Sequence, residues 1–175
     1  MQNEPPKPEL DEETIAFAQR VFQHARAGHA QELGDLLRMG LPPNLRNEKG
    51  DSLLMLASYH GHVDTVRVLL SHGADPELAN NRGQTPLAGA AFKGDMPTVQ
   101  CLLDGGADPN GRSEGGKTPL MIAAMFNREE IVHALLLRGA DVAAQDAGGL
   151  TAEALAGAMG AADTAERLAK EARRS

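Results

Sequence analysis

The stretch GRSEGGKT, Gly111 to Thr118, fits G-x-x-x-x-G-K-[S/T]. In nucleotide hydrolases that loop holds phosphates with backbone N–H groups and a lysine. His60 and His62 form H-x-H, a pair that could bind a metal ion. Cys101 is the single thiol and a candidate nucleophile. Several turn segments are rich in oxygen ligands: Asp75 and Glu77, then Asp108 and Asn110, then Asp141 and Asp146. Such residues suit Ca²⁺, which takes roughly six to eight oxygens.

Each chemistry needs a context. A phosphate loop follows an apolar strand that aims its backbone N–H groups. The residues before Gly111 are instead GGADPN, and Pro119 follows Thr118 directly. No strand ending in a Mg²⁺-holding Asp follows, because IVHALLLRGAD has helical spacing. The nucleotide reading is therefore a chance match. His62 begins a predicted helix, and His24, His29, His72 and His133 do not cluster with the pair in sequence. Cys101 aligns with Val68 and Ala134 on a predicted inner helix face, which implies a buried, inert thiol. The oxygen-rich turns lack the spacing of an EF-hand. Asp75, Glu77, Asp108, Asn110, Asp141 and Asp146 remain candidates for weak cation binding, with turn closure as their plainer role. Neither G-x-S-x-G nor H-E-x-x-H occurs. No enzyme activity, cofactor or small-molecule substrate is expected.

What positions these residues is a repeat. Gly50, Gly83, Gly116 and Gly149 recur at intervals of 33, as do Gly40, Gly73, Gly106 and Gly139. Ser52, Thr85, Thr118 and Thr151 keep the same interval, and so do Ala57, Ala90, Ala123 and Ala156. Leucine pairs at 36–37, 69–70, 102–103 and 135–136 complete the pattern. Ser or Thr marks a helix N-cap. Pro86 and Pro119 follow at the first helical position, where a missing N–H costs nothing. Gly61 or Gly94 allows a tight return into a second helix carrying the Leu pair. Gly73, Gly106 or Gly139 ends that helix in a left-handed conformation. A lone helix pair cannot bury its Leu face, so neighbours must stack.

These residues resemble the ankyrin family, from about Gly28 to Gly160, and most closely over Gly73 to Asn110. Stretches such as GDSLLMLASYHGH and GQTPLAGAAFKG are similar to those of small bacterial ankyrin proteins. The resemblance implies an all-α solenoid of stacked helix-turn-helix pairs joined by β-hairpin-like loops. About five repeats are expected, at residues 11–46, 47–79, 80–112, 113–145 and 146–175, with degenerate caps at both ends. Residues 1–10, with three prolines, read as a flexible arm. The family usually carries a His after T-P-L that bonds back to the Thr. Met55, Ala88, Met121 and Ala154 stand there, so that bond is expected to be missing.

The resemblance further implies a non-catalytic protein-interaction scaffold, with a partner held on the concave face and hairpin tips. The identity of that partner is not encoded in any motif. In-phase positions at the end of the first helices carry Tyr59, Phe92 and Met125, followed by His60, Lys93 and Phe126. Large apolar residues at such a place suit an interface core. The tips beside them, Glu48, Lys49 and Asp51, then Asn81, Arg82 and Gln84, then Glu114 and Lys117, suit a polar rim. The formal charge of −7 over 175 residues, with no basic face, argues against nucleic acid. No apolar run approaches membrane-spanning length, and MQNEPPKPELDEE lacks a signal-like apolar core. A cytoplasmic protein is expected.

Overall fold

The computed structural model describes residues 11–174. The expected N-terminal arm lies outside the described residues. Those described form five helix pairs. They are α1 (Glu12–Ala27) with α2 (Ala30–Arg38), α3 (Leu53–Tyr59) with α4 (Val63–Ser71), α5 (Pro86–Lys93) with α6 (Met96–Asp104), α7 (Pro119–Met125) with α8 (Glu129–Leu137), and α9 (Ala152–Ala158) with α10 (Ala162–Ala172). First helices pack in series from α1 to α9, and second helices pack in series from α2 to α8. The result is a two-layer helical repeat solenoid.

Local chemistry sets each first helix. The Ser52 hydroxyl accepts from the Met55 N–H at 3.0 Å. Thr85, Thr118 and Thr151 do the same for Ala88, Met121 and Ala154, each at 3.3 Å. The reciprocal bond expected to be missing is absent at three of these caps. At the fourth, the Met121 thioether takes it, accepting from the Thr118 N–H at 3.5 Å.

The turn between the helices of a pair needs glycine for two reasons. Gly94 has φ +76°, and a Cβ there would lie 2.8 Å from Nε of Arg128 on the next repeat. Asn127 takes the equivalent place in the fourth pair at φ +52°, a conformation Asn tolerates better than most residues. The hairpin loops are closed by side chains more than by strand pairing. Among the described residues the extended pairing is a single antiparallel bridge, Arg46 with Ser52. Asn47 Oδ1 accepts from the N–H groups of Lys49 and Asp51, both at 2.9 Å. Asn80 repeats this with Arg82 and Gln84, and Asp146 with Gly148 and Leu150.

The core runs the length of the array. Leu69, Leu102 and Leu135, the first members of their pairs, are fully buried. Leu103 is buried too, but Leu70 and Leu136 are half-buried, and in the first repeat the order is reversed, with Leu37 buried and Leu36 partly exposed. Among the described residues, two buried hydroxyls have no partner: Ser58 and Thr65. Thr98, in phase with Thr65, donates to Asp95 at 2.9 Å. The residue three before Thr65 is His62, which points elsewhere, so Thr65 loses that acceptor.

A second ladder ties repeat to repeat. Asn44 Oδ1 accepts from the Asp75 N–H at 2.8 Å, Glu77 Oε1 from Asp108 at 2.8 Å, and Asn110 Oδ1 from Asp141 at 2.7 Å. Glu77 is the one ionisable acceptor of the three. Burial, with the nearby Asp108 and Asp75 carboxylates, pushes its pKa up, against the lowering effect of the Asp108 N–H.

Candidate functional site

The ends of α5 and α7 and the hairpin tips above them enclose a hollow of about 210 Å³. Seven of the residues singled out in the sequence line it: Phe92, Met125 and Phe126 from the helix ends, and Arg82, Gln84, Glu114 and Lys117 from the hairpins. The Phe92 and Phe126 rings meet edge to face with centroids 4.8 Å apart, a favoured aromatic arrangement. Both remain exposed, at 42% and 39%, while Met125 is half-buried against the core. Arg128 donates to the Phe92 carbonyl at 3.4 Å and holds the end of α5 against the next repeat. Lys117 Nζ lies 3.8 Å from Asp146, so the hollow's edge is ion-paired. Two bonds from backbone N–H groups, with Lys117 nearby, hold the Asp146 carboxyl below the usual range despite some desolvation.

The other candidates lie around this hollow or elsewhere. Tyr59 is half-buried, with Lys93 Nζ 5.0 Å from its ring centroid. His60 packs edge-on to Tyr59 and stacks on His62. Desolvation first, then His62, Lys93 and Arg26, lower the pKa of His60, so it is neutral near neutral pH. Glu48 and Lys49 line a second, larger trough against α1, with Ile15 and Phe22. Asp51 and Asn81 join hairpins: Asn80 donates to Asp51 at 2.8 Å, and Asn81 donates to the Glu48 carbonyl at 3.1 Å.

Ile122 of α7 and Ala88 of α5 also line the hollow and were missed in the sequence. The signal was present for Ile122. It shares a helix face with Met125 and Phe126, three and four residues on. Comparison across repeats hid it, because Gly89 is the in-phase residue of the previous repeat.

Gly111 to Thr118 forms a hairpin. Gly115 and Gly116 both have φ +73°, Arg112 donates to the Gly116 and Gln145 carbonyls at 2.7 Å, and Thr118 caps α7. Among the described residues no strand precedes it. Cys101 is half-buried rather than fully buried, and desolvation raises its pKa, so the thiol stays protonated. The oxygen-rich turns use their side chains as acceptors. Asp75 receives the Glu77 N–H, Asp108 the Asn110 N–H, and Asp141 the Ala143 N–H. Among the described residues no three His, Cys, Asp or Glu side chains gather as a metal site. Within the H-x-H pair the rings stack, but His62 Nε2–H is committed to the Arg26 carbonyl at 2.8 Å, a packing role. His24 and His29 meet through their ring nitrogens, with Nδ1 atoms 2.9 Å apart.

A family model of ankyrin repeats matches this chain three times, over residues 21–113, 72–146 and 88–174. The chain belongs to the ankyrin repeat family. One relative, an ankyrin repeat protein of Pseudomonas aeruginosa, is 66% identical over 56 residues. That alignment covers 32% of this chain and 33% of the relative, so the chain spans about a third of the curated relative it matches. Ankyrin repeats in general mediate protein–protein contact, and this ankyrin chain leaves Phe92 and Phe126 exposed at the ends of α5 and α7, with Phe17 exposed on α1. Among the described residues no helix is long and apolar enough to cross a membrane.

Proposed function

We propose that this chain is a non-catalytic protein-interaction module that receives one large apolar side chain of a partner polypeptide between Phe92, Met125 and Phe126. The observation that carries this is convergence. Residues far apart in sequence, chosen for type and phase, line one hollow with an apolar floor and a polar edge. Its size supports a side chain over a cofactor, since about 210 Å³ falls below the roughly 300–1,000 Å³ of small-molecule clefts. Arg82, Gln84, Glu114 and Lys117 form the rim that selects the partner. The formal charge of −7 favours a polypeptide over a nucleic acid as that partner.

Substitution tests the reading. Phe92→Ser with Phe126→Ser abolishes partner capture from the native cell extract. The melting curve falls only by the loss of one aromatic pair, about 0.5–1.5 kcal/mol. Met125 is left intact because it packs on the core. Unchanged capture by the double variant moves the site to the trough beside α1.

A further inference from the structure

We propose that His24 and His29 chelate a divalent transition-metal ion at the end of α1. The backbone brings them together. The N–H groups of Gly28 and His29 both donate to the His24 carbonyl, and Gly28 takes φ +78°. This is a Schellman turn, whose geometry places the side chains flanking the glycine, here His24 and His29, in contact. Their Nδ1 atoms are 2.9 Å apart, a hydrogen bond in which one ring donates and the other accepts. Imidazole nitrogens bind Zn²⁺ at about 2.0–2.1 Å in a tetrahedral shell, so two of them on one ion lie about 3.3 Å apart, a little wider than this pair stands. Rotating both rings to open this gap turns the two Nδ1 lone pairs onto a common point, and the ion displaces the proton between them.

The surroundings suit an ion that keeps water ligands. His29 is exposed and His24 half-buried, so the remaining coordination positions face solvent. His62 walls one side, packed over Gly28 with its Nε2 committed to the Arg26 carbonyl. Imidazole pairs select Zn²⁺, Ni²⁺ or Cu²⁺ over Mg²⁺ or Ca²⁺. The feature belongs to the first repeat alone. The same two positions hold Ala57 and His62, Ala90 and Asp95, Ala123 and Arg128, and Ala156 and Ala161 in later turns. Those alanines are fully buried, whereas His24 reaches solvent at the open end of the array. The chelate ties the end of α1 to the start of α2 and stabilises the first repeat by linkage.

Titration calorimetry of the full chain with Zn²⁺ alone, at neutral pH, tests the site. One Zn²⁺ is expected to bind, with either His24→Gln or His29→Gln weakening it by about tenfold or more and His60→Gln by less than about twofold. Circular dichroism confirms that the variants are folded. If a variant loses helix, ring NMR of the unmodified chain decides, because Zn²⁺ must shift the His24 and His29 resonances before any others. Absence of saturable binding overturns the proposal. So does binding that survives either glutamine, or ring shifts confined to other histidines.

Discussion

Ser58→Ala is expected to stabilise this protein. Ser58 is fully buried in α3, and its hydroxyl has no hydrogen-bond partner. The in-phase residues of neighbouring repeats, Ala25, Ala91 and Ala124, are fully buried alanines, so the cavity already fits a methyl group. An unsatisfied buried hydroxyl costs about 1–3 kcal/mol. Alanine also has a higher helix propensity by up to about 0.5 kcal/mol. Against this stands the small void left by one oxygen. The net gain is about 1–2 kcal/mol. Urea unfolding reads it as a higher midpoint at unchanged slope. Ser52→Ala, six residues earlier, is the control with opposite sign. Its hydroxyl caps α3 through the Met55 N–H, and its loss costs about 1 kcal/mol. A lower midpoint for Ser58→Ala would refute the reasoning, because the hydroxyl would then have a partner.

Other perturbations follow from the same contacts. Leu102→Ala, at a fully buried position, costs about 2–5 kcal/mol, and Leu136→Ala, half-buried in the next pair, costs less; thermal unfolding orders the two. Glu77→Gln keeps an acceptor for the Asp108 N–H and removes a charge that partial desolvation and the neighbouring carboxylates disfavour. Because the folded chain holds the Glu77 proton above the ordinary value of 4.5, wild-type stability falls as pH rises through the folded pKa. The variant therefore gains up to about 1 kcal/mol near neutral pH, an advantage that disappears below pH 4.5 in a series of melts. Lys117→Ala removes an ion pair at a hairpin, changes stability by less than about 1 kcal/mol, and leaves no ATP or GTP binding to lose in a filter assay.

The helices, caps and turns were legible because each is decided within a few residues. Thr85 reads as a cap from its place before Pro86, and Gly94 as a turn from its 33-residue phase. The in-phase stripe led to the hollow for the same reason: a solenoid stacks like positions. What stayed hidden depends on departures from phase. Thr65 and Thr98 are in phase, yet His62 stands where Asp95 supplies an acceptor in the next repeat. Set only against the His60–His62 pair, His24 and His29 stand apart in the sequence, and the left-handed Gly28 between them is what folds one onto the other. Ile122 was masked by Gly89 in the preceding repeat. Cys101 shares its phase with the buried Ala134, yet stays half-buried beside the similarly placed Val68.

Site-specific photo-cross-linking in the native cell tests the partner surface most directly. A photoreactive side chain at position 114, on the rim of the hollow, is compared with one at position 39, where Met39 is 83% exposed at the end of α2. A partner seated on Phe92 and Phe126 gives a discrete cross-linked product from position 114, lost on Phe92→Ser, and no such product from position 39. The same product from both positions, or one from position 114 that survives Phe92→Ser, would contradict a partner held in this groove.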